Sequence, residues 1–100
     1  MVTRKGAGKK EQKKAERSFV IPNKLGLHAR PAALFVQTAN RFESLIEIFK
    51  DDLQADGKSI MGIMTLAAEM GSTILIRVSG RDADEAMEAL AKLIESNFGE

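Results

Sequence analysis

The sequence predicts an α+β fold: a two-layer open-faced sandwich in which a four-stranded antiparallel sheet is covered on one face by three helices, in the order β-α-β-β-α-β-α. Two observations carry this expectation. From Ser18 onward the spacing of apolar residues switches repeatedly between two and three-to-four, which marks alternating strands and helices. Each helical stretch carries an apolar stripe that it must bury, and a sheet face is the available surface. A chain of 100 residues has room for one such domain, and no internal repeat or second core is visible.

The elements follow in order. Phe19 and Ile21 alternate with Val20 in a first strand that Pro22 suits best at a sheet edge. Asn23 to Leu27 is a loop. Ala32, Ala33, Phe35, Val36 and Ala39 then recur at helical spacing, and Pro31 is acceptable there because it falls in the first turn. This places His28 at the helix N-terminus. Leu45 to Lys50 and Leu53 to Ala55 read as an antiparallel hairpin turning at Asp51-Asp52. A second helix is expected from Ile60 to about Glu69, stopped by Gly71. The strand Thr73 to Ser79 points Ile74, Ile76 and Val78 inward. Asp82 and Glu85 then form a capping-box-like pair ahead of a last helix with Ala86, Leu90, Leu93 and Ile94 on its apolar side.

Charge divides the chain unevenly. Residues 1–17 hold seven basic and two acidic side chains, five net positive charges, so with +1 overall the remainder stands at −4. That first stretch lacks apolar periodicity and reads as a basic, disordered arm, with the domain spanning 18–100. Cysteine is absent, which excludes disulfides and thiolate chemistry and suits a cytoplasmic protein. A single histidine forms no metal cluster, so neither metal nor cofactor is expected. No apolar run nears the roughly 20 residues that span a bilayer. Nucleic-acid binding is poorly supported, because the acidic folded part has no tyrosine or tryptophan for base stacking.

The chemistry concentrates in Gly26-Leu27-His28-Ala29-Arg30-Pro31-Ala32. A helix N-terminus presents N–H donors and a partial positive charge of roughly half a unit, which favour a bound phosphate. Arg30 adds a fork of donors two residues on. His28 is therefore a candidate nucleophile for phosphoryl transfer, with Arg30 as its charge partner. On the second helix, Ile63 and Leu66 are expected to cover the sheet, while Ile60, Met61 and Met64 suit an adaptable docking patch. Leu27 and Ala29, flanking the histidine, are placed in the same partner-binding surface.

The run Asn23-Lys24-Leu25-Gly26-Leu27-His28-Ala29-Arg30-Pro31-Ala32 resembles the active-site segment of the HPr family, the histidine-containing phosphocarriers of the bacterial phosphotransferase system. Lys58-Ser59-Ile60-Met61-Gly62-Ile63-Met64 resembles that family's regulatory serine segment, at matching separation. The resemblance covers all but the basic arm and the last residues. It implies that His28 is phosphorylated through Nδ1 and that Arg30 stabilises the phosphoryl group. It also implies that enzyme I is the donor, an enzyme IIA domain the acceptor, and an HPr kinase/phosphorylase the agent of regulatory phosphorylation on Ser59. Such a protein is a stoichiometric carrier rather than an enzyme, and is expected to be a monomer. Asp52 stands where the family often has a turn glycine, and Gly57 where it often has an apolar residue. The alternative is a regulatory HPr-like protein that acts by binding partners; paralogues of that kind are expected to lack the active histidine.

Overall fold

The computed structural model describes residues 13–99. Strands β1 (Lys13–Val20), β2 (Leu45–Lys50), β3 (Leu53–Asp56) and β4 (Thr73–Gly80) form one sheet in the order β1-β4-β2-β3, every neighbouring pair antiparallel. Helices α1 (Ala29–Ala39), α2 (Ile60–Thr65) and α3 (Ala83–Glu95) complete the α+β sandwich expected from the sequence.

Alternation decides which side of the sheet is covered. In β4, Ile74, Ile76 and Val78 are buried, as are Ile46 and Ile48 of β2, Ala55 of β3 and Phe19 of β1. Phe35, Val36 and Ala39 of α1, Ile63 of α2 and Leu90 and Ile94 of α3 join them in one core. The recurrence of buried positions every three to four residues along α1 and α3 is what lets each helix lie flat on a pleated surface. On the open face, Arg77 lies between Glu16 and Glu47 in register, donates to Glu16 across 2.6 Å and stacks 4.7 Å from the Phe49 ring centroid.

Several boundaries depart from the sequence reading. Strand β1 begins at Lys13, so residues 13–17, assigned to the arm by composition, pair with Gly80 to Ile76 of β4. At the edge of a sheet with a solvated outer face, backbone pairing needs little apolar content, and Ala15 alone of those five is partly buried. The remainder of the arm lies outside the described residues. Helix α2 stops at Thr65, short of Glu69, because the chain turns through Leu66 to Ala67, whose φ of 51° lies outside helical space. The hairpin turn places its positive φ on Asp51, at 54°, a residue type that tolerates the left-handed region. Gly57, the other departure from the family pattern, donates to the Ile46 carbonyl at 2.7 Å, and a Cβ there would overlap the Ile46 side chain.

Asp82 is the N-cap of α3 by position, but its carboxylate makes no capping bond. It accepts instead from the Glu43 N–H at 2.9 Å, the Ser44 N–H at 3.0 Å and the Ser44 hydroxyl. The expected capping box is replaced by a clasp between the α1–β2 and β4–α3 connections. After α3, the chain bends at Asn97 and Phe98, both with positive φ, and buries the Phe98 ring in the core.

Candidate phosphoryl-transfer site

The loop from Ile21 to Leu27 is tied at both ends to the segment preceding β4. Ile21 N–H donates to Ser72 O at 2.8 Å, Gly71 N–H to Ile21 O at 2.9 Å, and Leu27 N–H to Ala68 O at 2.9 Å. Gly26 adopts φ 71°, and a Cβ there would collide with the Ala68 carbonyl and Glu69 Cα, so the tight approach admits only glycine. Asn23 is wholly buried in this loop and donates through Nδ2 to the Gly26 carbonyl at 2.6 Å.

His28 is the N-cap of α1, with extended backbone at φ −80° and ψ −171°, and its carbonyl accepts the Ala32 N–H at 3.0 Å. The side chain makes no capping bond to the helix. The ring is half-buried, with Nε2 enclosed by protein. Ala29 and Arg30 open the helix and are exposed; their N–H groups have no preceding helical turn to bond, and Pro31 has no N–H at all. The first turn thus leaves two backbone donors next to His28, with the exposed Arg30 two residues on.

Leu25, Leu27, His28, Met64, Ala67, Ala68 and Glu69 line a shallow depression of about 240 Å³. Met64 of the expected docking patch therefore shares a surface with the histidine, and Ile60 and Met61 stand one helical turn before it. All three are exposed, Met61 most of all at 72%, whereas Ile63 and Leu66 are buried. Leu27 is a correction: it was placed on the partner-binding surface, but at 5% exposure it belongs to the core, drawn inward by its bond to Ala68. Leu25, 73% exposed, takes the outward position instead. Ser59 is the N-cap of α2, its Oγ accepting the Gly62 N–H at 2.9 Å. Sequence reasoning left Asn23, Ala68 and Glu69 unassigned; an asparagine three residues before a loop glycine is the one signal that pointed to a specific turn.

Among the described residues no cluster of His, Cys, Asp or Glu could hold a metal ion, and no helix is long and apolar enough to cross a membrane.

The sandwich presents the one histidine of the sequence at the start of its first helix, where unpaired N–H donors suit a phosphoryl group. A family model described as the PTS HPr component phosphorylation site matches residues 15–96. The chain is 48% identical over 85 residues to the phosphocarrier protein HPr of Cupriavidus necator, covering 85% of this chain and 96% of that protein. It is 55% identical over 80 residues to the HPr-like protein Crh of Halalkalibacterium halodurans, covering 80% and 95% respectively. The crystal structure of HPr-C-His from Thermoanaerobacter tengcongensis superposes with a TM-score of 0.83 at 52% identity, covering 86% of this chain and 97% of that one. The chain belongs to the HPr family, phosphocarrier proteins of the phosphotransferase system.

Proposed function

We propose that this chain accepts a phosphoryl group from phospho-enzyme I on His28 and donates it to an enzyme IIA domain. The observation that carries the reading is the placement of His28 as N-cap of α1, beside the first-turn N–H groups of Ala29 and Arg30. The resemblance to the family assigns the attack to Nδ1, and Nε2 is enclosed by protein. As the Nδ1–P bond forms, the bond from phosphorus to the donor atom breaks and its electron pair stays with the donor. Phosphoryl transfer depends mostly on positioning and on stabilising charge on the phosphoryl oxygens. The N–H groups of Ala29 and Arg30 and the Arg30 guanidinium supply that charge. The reverse displacement at an enzyme IIA nucleophile releases the group, so the chain is a carrier and not a catalyst.

Incubation with phosphoenolpyruvate and enzyme I is expected to give an acid-labile phosphate on the wild type and none on His28→Ala, whose melting temperature should match the wild type. Labelling of His28→Ala at the wild-type level would refute the assignment. The same experiment decides against the alternative of a binding-only regulator, which the identity to an HPr-like protein keeps in view.

Ser59 is assigned a regulatory role in bacteria that hold an HPr kinase/phosphorylase. Its Oγ lies at a helix start beside exposed Ile60 and Met61. A phosphate there adds about −1.5 to −2 charges that a docking partner must desolvate. Ser59→Asp should weaken enzyme I binding at unchanged melting temperature; unchanged affinity with lower stability would reduce Ser59 to a helix cap.

A further inference from the structure

We propose that Asn23 is a positioning residue that fixes where His28 presents its ring; its effect on transfer rests on the carrier reading above, its effect on geometry does not.

Asn23 is polar, sits in a loop and is 0% exposed. A buried amide is costly unless it is hydrogen-bonded, so its retention at this point calls for a specific partner. For Nδ2 that partner is the Gly26 carbonyl at 2.6 Å, while Oδ1 is enclosed without one. The same oxygen accepts the His28 N–H at 2.9 Å, while the Gly26 N–H returns to the Asn23 carbonyl at 3.1 Å. The Gly26 carbonyl is thus a junction, held from one side by the Asn23 side chain and holding the His28 backbone on the other. Gly26 itself offers no stiffness, since glycine rotates about φ and ψ more freely than any other residue. The Gly26–Leu27 peptide is planar and is held at both of its polar ends, its N–H by the Ala68 carbonyl at 2.9 Å and its C=O by the Asn23 side chain. Without the amide, that peptide keeps only its Ala68 anchor and can tilt about it, the Gly26 carbonyl that accepts the His28 N–H moves, and the ring shifts relative to the N–H groups of Ala29 and Arg30. Misplacement of a reacting group by as little as 1 Å costs about a hundredfold in rate.

The test uses the full chain. In the wild type, NMR should detect a scalar coupling across the bond from Asn23 Nδ2–H to the Gly26 carbonyl, and a side-chain amide protected from exchange. A freely exchanging amide with no coupling overturns the proposal with no substitution made. Asn23→Ala should move the His28 amide and ring resonances while those of α3 stay in place. It should lower kcat for transfer from phospho-enzyme I by about 10- to 100-fold, with KM unchanged because the docking surface is untouched. Unmoved His28 resonances, or wild-type kcat in the folded variant, overturns it. Should Asn23→Ala fail to fold, Asn23→Ser, which keeps a donor on a shorter arm, takes its place beside the wild-type coupling. A wild type that takes no label on His28 refutes the carrier reading alone, because the coupling and the His28 resonances still decide the positioning.

Discussion

Arg30 and Asp82 both stand at helix starts, and their surroundings separate their roles. Arg30 is exposed in the first turn of α1, two residues from His28, where its proposed contact with a phosphoryl oxygen would bury no charge. Arg30→Ala is expected to slow transfer from phospho-enzyme I by about 10- to 100-fold, the scale of one charge-assisted hydrogen bond, at unchanged melting temperature. Equal rates in stopped-flow transfer would mean that the backbone donors suffice. Asp82 is held below the ordinary carboxylate range by the Ser44 hydroxyl first and the Glu43 N–H next. The folded chain therefore favours its ionised form. Its contribution to stability is present above the ordinary value of about 3.8 and is lost as pH falls through the lower folded value. Asp82→Asn should melt below the wild type at pH 7, and the gap should close as thermal melts are repeated toward pH 2; a gap independent of pH would assign the loss to packing.

At the scale of elements, the helix-and-strand order was legible because each element has its own apolar period, as in Ile74, Ile76 and Val78 of β4 against Phe35, Val36 and Ala39 of α1. His28 and Ser59 were placeable at helix starts for the same reason, the one followed by Pro31 and the other a favoured N-cap. What the sequence concealed were decisions made by distant contacts. Nothing local announces that Asp82 turns to Ser44 rather than to its own helix, that Asn23 is buried, or that Phe98 folds back into the core. The end of α2 at Thr65 was hidden likewise, since Ala67 and Ala68 are good helix formers pulled out of the helix where Ala68 binds Leu27. Gly57 belongs to this group: its lack of a side chain is demanded by Ile46 of the neighbouring β2, which no local pattern encodes. Gly57→Ala should cost about 1–3 kcal/mol through overpacking, read as a lower urea midpoint at constant m value. An unshifted midpoint would show that Ile46 can swing aside.

At the scale of the whole molecule, the sheet joins its first strand to its last, since Lys13 of β1 faces Gly80 of β4. The junction is reinforced from both faces, by Arg17 with Glu95 of α3 at 2.9 Å and by Arg77 with Glu16 at 2.6 Å. A chain starting at Ser18 loses five strand residues and both ion pairs, whereas one starting at Lys13 keeps them. The shorter chain should melt at least about 4 °C below the longer, the shift of roughly 1 kcal/mol in a domain of this size; coincident melts would place the stabilising boundary at Ser18. The strand order carries a consequence for biosynthesis. The β2–β3 hairpin joins neighbours in sequence and is complete as soon as Asp56 is made, but β1, synthesised before either, has no partner until Thr73 to Gly80 have been added. Until β4 has been added, β1 therefore has no strand partner and β2 has one edge unpaired. Closing that distance costs loop entropy before any contact rewards it. The sheet can consequently be closed only once β4 is available, whatever the speed of its first half.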